Sequence, residues 1–171
     1  AVSFAKKGNQ FILAKTILQN TEYQISSSNA NAKEHEKLYY QLAVVKDQFP
    51  VIQVGHAPDS LKLGTNYCVG QISDDYGLSR LQVVYYPKDK PANAKRGTIA
   101  IKPAAFDQFI FSFPTNLPVL SGIVYEYYFE VFDNDAIHHF KRTQSSVFSS
   151  RLATAEEKEE QSLQQQNENS N

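Results

Sequence analysis

Short runs of alternating apolar and polar residues, bounded by Gly, Pro, Asn or Asp, fill residues 51–149. Successive side chains of a strand point to opposite faces, so this alternation predicts strands with one buried face. Seven strands are predicted, at residues 51–54, 67–72, 80–86, 98–102, 106–113, 124–132 and 143–149. That number in about a hundred residues is typical of an all-β, Ig-like or fibronectin-III-like β-sandwich.

The alternation also predicts which side chains form the core of this sandwich. The expected rows are Leu81, Val83 and Tyr85; Phe109, Phe111 and Phe113; and Tyr127, Phe129 and Val131. On the last of these strands Glu126, Tyr128, Glu130 and Phe132 point the other way, and a neighbour could cover that mixed face. The single cysteine, Cys68, shares a strand face with Gly70 and Ile72, so we interpret it as a small buried residue rather than a nucleophile.

An eleven-residue segment near the N-terminus recurs 104 residues later. Residues 22–32 and 126–136 share a Glu-Tyr pair, the next alternate apolar position, two Asx residues and a final Ala. The spacing matches one sandwich module. We therefore expect residues 1–48 to be the C-terminal strands of a truncated preceding Ig-like module, and residues 49–151 to be a complete module. The first part is predicted to hold strands at 10–18, 22–27 and 37–45, and its open edges predict homo-association.

The strand pattern ends before residue 152. Thr154-Ala155-Glu156-Glu157 is a capping box. In such a box the Thr154 hydroxyl accepts the backbone N–H of Glu157, and the Glu157 carboxylate accepts the backbone N–H of Thr154. It predicts that residues 152–171 are the start of a polar helix or a disordered tail, since Leu163 is the only large apolar residue after the box.

Two acidic loops are the strongest candidates for a site. Asp74 and Asp75 follow the second predicted strand of the module, and Asp133 and Asp135 follow the sixth. In an Ig-like sandwich these loops lie at the same end. Their carboxylates are predicted to form turns by bonding their own backbone, and Asn29 and Asn31 at the matching positions of the first copy favour that role. The alternative is a Ca²⁺ site, because Ca²⁺ takes about six to eight oxygen ligands.

Other classes of function lack support in the sequence. The net charge is −1 and the basic residues are scattered, which argues against a nucleic-acid partner. No apolar run approaches the roughly 20 residues that a membrane span needs. No HExxH, GxSxG or phosphate-binding glycine loop is present, so we predict no enzyme activity. A third alternative is a carbohydrate-binding face built on tyrosines, namely Tyr85, Tyr86, Tyr125, Tyr127 and Tyr128.

Residues 46–54, 70–79 and 127–135 together resemble a domain-of-unknown-function family of large bacterial cell-envelope proteins. The resemblance covers roughly residues 20–160. It implies tandem Ig-like modules, long polar helical stretches and a location in the periplasm or cell envelope, and it implies no catalytic or ligand-binding residue. A glycine is expected after the Asp-Asn-Asp segment, where this chain has Ile137 to Phe140.

Taken together, these features predict a non-catalytic structural or protein-interaction segment of a multi-module envelope protein. Its expected partners are other modules of the same chain or another protein. The alternatives are a Ca²⁺-dependent adhesion or ligand-binding module that uses Asp74, Asp75, Asp133 and Asp135, and the carbohydrate-binding face. No other cofactor is predicted.

Overall fold

The computed structural model of the chain describes residues 2–33, 36–58, 61 and 67–169. Its contacts divide it into two compact units, unit 1 (residues 1–46) and unit 2 (residues 47–171). The described part is built of antiparallel strands and one C-terminal helix. The prediction of an all-β chain with a short C-terminal helix is therefore confirmed.

Unit 1 consists of two small hairpins. The strands are β1 (Ala5–Lys7), β2 (Gln10–Ile12), β3 (Thr21–Ser27) and β4 (Glu36–Leu42). β1 pairs with β2, and β3 pairs with β4. The strand predicted at 10–18 is only three residues long, as β2. It follows a turn at Gly8 and Asn9 and pairs with β1, a strand that the alternation did not predict.

The β3–β4 hairpin has one apolar face and one polar face. Tyr23 lies opposite Tyr40 with the two rings stacked 5.0 Å apart, and Ile25 lies opposite Leu38. On the other face the Gln41 side chain donates to Glu22 Oε1 at 2.8 Å. None of the described side chains of unit 1 is buried, and Tyr23, Leu38 and Tyr40 are 40–53% exposed.

Unit 2 consists of two antiparallel sheets and the helix. Its strands are β5 (Val51–His56), β6 (Tyr67–Ser73), β7 (Leu78–Pro87), β8 (Lys95–Ile99), β9 (Phe106–Ser112), β10 (Val124–Asp133), β11 (Arg142–Gln144) and β12 (Phe148–Arg151). One sheet has the order β5-β6-β9, and the other has the order β11-β10-β7-β8, with β12 also paired to β10.

Aromatic side chains from both sheets form the core between them. Phe129 of β10 is fully buried, with its ring 5.1 Å from that of Phe109 and 5.4 Å from that of Phe111. Phe113 stacks on Tyr127 at 4.7 Å. All nine residues of the three predicted core rows are buried, and so is Cys68. Period-two alternation therefore located this core correctly.

Two strand predictions in unit 2 need correction. The strand predicted at 98–102 lies three residues earlier as β8, after a 3-10 turn at Pro91–Asn93. The strand predicted at 143–149 is divided into β11 and β12. Between them the Ser145 hydroxyl accepts the N–H of Phe129 at 3.0 Å, which replaces one backbone bond of the ladder and lets the chain shift along β10.

The predicted capping box opens the helix α1 (Ala155–Asn169). Glu157 Oε2 accepts the N–H of Thr154 at 2.8 Å, and the Thr154 hydroxyl accepts the N–H of Glu157 at 3.3 Å. Arg151 adds two charge-assisted bonds to the Glu157 carboxylate, which lower its pKa.

Candidate metal centre

Three carboxylates meet where the segment before β5 passes the loop between β6 and β7. Asp47, Asp74 and Asp75 each place one carboxylate oxygen within 4.8 Å of the others. Asp74 is buried, Asp47 is half-buried and Asp75 is exposed. Both predicted residues of this loop thus belong to the group, and sequence reasoning missed Asp47, which it placed at the end of the truncated first module.

The loop between β6 and β7 is held by Asp74 itself. Its Oδ2 accepts the N–H groups of Tyr76 at 3.0 Å and Gly77 at 2.8 Å. Gly77 has a φ of +125°, a conformation that residues with a Cβ rarely adopt. Asp74 thus bonds the backbone of its own turn, and these bonds use one of its two oxygens.

Asp133 ends β10 beside this loop and is 1% exposed. The register between β10 and β7 shifts between Phe132 and Asp133, a β-bulge that re-aims the strand end. Asp133 Oδ1 accepts the N–H of Asp135 at 3.2 Å. Burial raises the pKa of Asp133, and the nearby charges of Asp47 and Asp74 raise it further.

Asp135 does not join these carboxylates. Its Oδ1 accepts the N–H groups of Ile137 at 3.1 Å and His138 at 3.2 Å, and its Oδ2 pairs with the His138 ring. These contacts lower the pKa of Asp135. Of the four predicted site residues, the structure therefore brings Asp74 and Asp75 together, places Asp133 within electrostatic reach, and turns Asp135 to a different partner.

Lys141 supplies the counter-charge. Its ammonium group pairs with Asp47 Oδ2 and donates to the Asp47 backbone oxygen at 3.1 Å. The bond to the Asp47 side chain raises the pKa of Lys141, and the negative charges of Asp47, Asp133 and Asp135 raise it further. The segment before β5 is thus tied to the loop after β10.

The loop after β10 has a strained backbone. His139 and Phe140 have φ values of 66° and 56°, in the left-handed region that favours glycine. They lie within the stretch where the family resemblance leads us to expect a glycine. The loop therefore keeps the glycine-type backbone without the residue that adopts it most easily.

Other candidate groups are placed in the core or on its margins. Cys68 Sγ lies 3.5 Å from Tyr127 Oη, and burial raises the pKa of its thiol, which disfavours the reactive thiolate. Among the tyrosines of the predicted carbohydrate face, Tyr85, Tyr125 and Tyr127 are buried, whereas Tyr86 and Tyr128 are half-buried. These five residues therefore do not line one open surface.

No protein-family model matches the chain, and no curated protein or solved structure matches it either. Within the described residues no helix has the length and apolar character that crossing a membrane requires.

Proposed function

We propose that the chain is a non-catalytic structural and protein-interaction segment of a multi-module protein of the cell envelope. The observation that carries this proposal is the exposed apolar face of the β3–β4 hairpin. The envelope location, in the periplasm or at the cell surface, rests on the family resemblance.

The strand order of unit 2 supports an Ig-like module. Its first, second and fifth strands form one sheet, and its third, fourth, sixth and seventh strand positions form the other. The seven-strand immunoglobulin pattern also sets the first, second and fifth strands against the third, sixth and seventh. The fourth strand here pairs with the third, as the added C′ strand does in variable-type domains. The inner faces meet in a filled aromatic core, which suits a spacer or scaffold.

The internal repeat indicates what the hairpin face binds. Tyr23 and Ile25 of β3 match Tyr127 and Phe129 of β10, which are 3% and 0% exposed beneath the rings of β9. In unit 1 the corresponding positions line an open groove of about 440 Å³ together with Phe4. We propose that a β-sheet layer of a second copy of the chain covers this groove in the isolated protein.

The test is sedimentation velocity of the full chain over a range of concentrations. We expect reversible association, because burying each large apolar side chain stabilises by about 1.5–3 kcal/mol. Ile25→Glu should weaken association by about tenfold or more, since it places a charge on the apolar face. The matched control is Ser26→Glu, which adds the same charge on the polar face at a position that does not line the groove.

Two results would count against the proposal. One is equal association of the Ile25→Glu and Ser26→Glu variants. The other is a strictly monomeric chain whose β3 and β4 amides are nevertheless protected from hydrogen exchange, because such a hairpin would be stable without a cover.

A further inference from the structure

Three buried carboxylate oxygens at one end of unit 2 have no hydrogen-bond donor in the described structure. They are Asp47 Oδ1, Asp74 Oδ1 and Asp133 Oδ2. Asp74 is 8% exposed and Asp133 is 1% exposed, so water reaches neither side chain freely. A buried carboxylate without a donor or counter-ion is costly, which means that these oxygens call for a positive partner.

The turns do not account for these oxygens. Asp133 Oδ1 accepts the N–H two residues on, and in unit 1 Asn29 Oδ1 does the same for Asn31 at 2.9 Å. A neutral amide therefore makes the same turn as a carboxylate. The turn requires one oxygen, and the second charged oxygen of Asp133 is left for another role.

Lys141 does not satisfy them. Its ammonium group bonds Asp47 through Oδ2 and the backbone oxygen, which leaves Asp47 Oδ1 free. Asp47, Asp74, Asp75 and Asp133 carry four formal negative charges against the single positive charge of this lysine. A divalent cation would balance this excess of negative charge.

We propose that unit 2 binds one Ca²⁺ ion between Asp47, Asp74 and Asp75, beside the buried charge of Asp133. Asp47 Oδ1, Asp74 Oδ1 and the exposed carboxylate of Asp75 are hard ligands from two separate segments. Oxygen-only donors select Ca²⁺ or Mg²⁺ over Zn²⁺, and the irregular spacing of these segments suits the flexible coordination of Ca²⁺ better than the strict octahedron of Mg²⁺. Water would complete the coordination.

Bound Ca²⁺ would tie the residues before β5 to the loop that follows β6, and its charge would offset that of Asp133 at the end of β10. This inference is independent of the proposed interaction through unit 1, because every ligand belongs to unit 2. Failure of one proposal therefore leaves the other standing.

The test titrates CaCl₂ into the full chain by calorimetry at neutral pH and compares thermal unfolding in EDTA and in Ca²⁺. We expect one ion per chain and a midpoint that rises with Ca²⁺ concentration, because a ligand of the folded state stabilises it by mass action. Asp133→Asn keeps the turn acceptor and removes the buried charge. It should weaken binding by about tenfold or more, as even outer-shell changes at metal sites do.

Asp135→Asn is the matched control. It removes a neighbouring carboxylate that the structure places outside the site, so affinity should stay at the wild-type value. Near-UV circular dichroism in EDTA verifies that each variant is folded. The proposal is overturned if the wild-type chain gives neither heat nor a shift, if Asp133→Asn binds as the wild type does, or if only Mg²⁺ produces the effect.

Discussion

Gly70 provides the sharpest test of how the core of unit 2 is packed. It lies in the middle of β6 opposite Phe109 of β9 and is buried. A Cβ added at Gly70 would overlap Cε1 and Cζ of Phe109 and would lie 3.0 Å from Cδ1. Non-bonded carbons prefer a separation of about 3.5–4.0 Å. The Phe109 ring would therefore have to move, and the ring of Phe129 at 5.1 Å blocks one direction.

We expect Gly70→Ala to lower the free energy of unfolding by about 1–3 kcal/mol, the usual cost of overpacking a filled core. Gly55 of β5 is the matched control, because a Cβ there would meet no atom within 4 Å. Gly55→Ala should be stabilising by about 0.5–1 kcal/mol, since Ala loses less backbone entropy in a strand. The two alanine variants should thus differ by about 1.5–4 kcal/mol.

The assay is urea unfolding of the full chain, followed by the near-UV circular dichroism of the buried tyrosines. Phe109→Leu in the Gly70→Ala background completes a double-mutant cycle and should recover part of the loss, with a coupling of at least about 0.5 kcal/mol for residues in contact. Equal stabilities of the Gly70→Ala and Gly55→Ala variants, or additive effects of the cycle, would refute this account of the packing.

Two further predictions concern a charge and a strained turn. The backbone N–H groups of Lys102 and Gln108 donate to the Asp107 carboxylate at 2.7 and 2.9 Å and lower its pKa. The ionised carboxylate therefore stabilises the fold above its ordinary pKa of about 3.9. This stabilisation is lost as the pH falls through the folded-state pKa. Asp107→Asn should therefore destabilise the chain at pH 7 and flatten its acid unfolding curve; an unchanged curve would contradict this. His139→Gly should raise the free energy of unfolding by about 0.5–1 kcal/mol, because glycine adopts the left-handed φ without strain. His139→Ala is the control and should give no such gain when both variants are compared by thermal unfolding.

Sequence reasoning located the features that depend on local pattern. Alternation identified the inward rows of unit 2, including Phe129, and the capping box identified the start of the helix at Thr154. Both signals follow from the geometry of a single element. The turn-forming role of Asp74 was also predictable, because Asx side chains bond the backbone two or three residues on.

What the sequence left open depends on contacts between distant segments. Alternation assigns faces but does not say which strands pair, so it did not reveal that the ladder on β10 passes from β11 to β12 at Ser145. The candidate site shows the same limit. Asp47 enters it from a segment that the sequence placed outside the complete module, and Asp135 is absent from it and pairs instead with the side chain of His138.

The outer face of β10 is already covered by side chains of unit 2. The sequence predicted a mixed face that a neighbour could cover, yet Glu130 on that face is fully buried. It accepts from Gln82 at 2.5 Å, Gln144 at 3.0 Å and Arg142 at 3.2 Å, so long polar side chains of adjacent strands cover it from within the unit. Because its oxygens already have donors, a partner on this face would have to compete with bonds that exist.

The matching strand of unit 1 is in the opposite situation. β3 repeats the inward apolar positions of β10, but Tyr23 remains 40% exposed and Leu38 beside Ile25 is 53% exposed. Covering these side chains removes apolar surface from water without breaking any polar bond, so association there gains free energy at about 25 cal/mol per Å². The two copies of one sequence pattern thus differ in what covers them, and that difference supports the proposal that a partner binds unit 1 rather than unit 2.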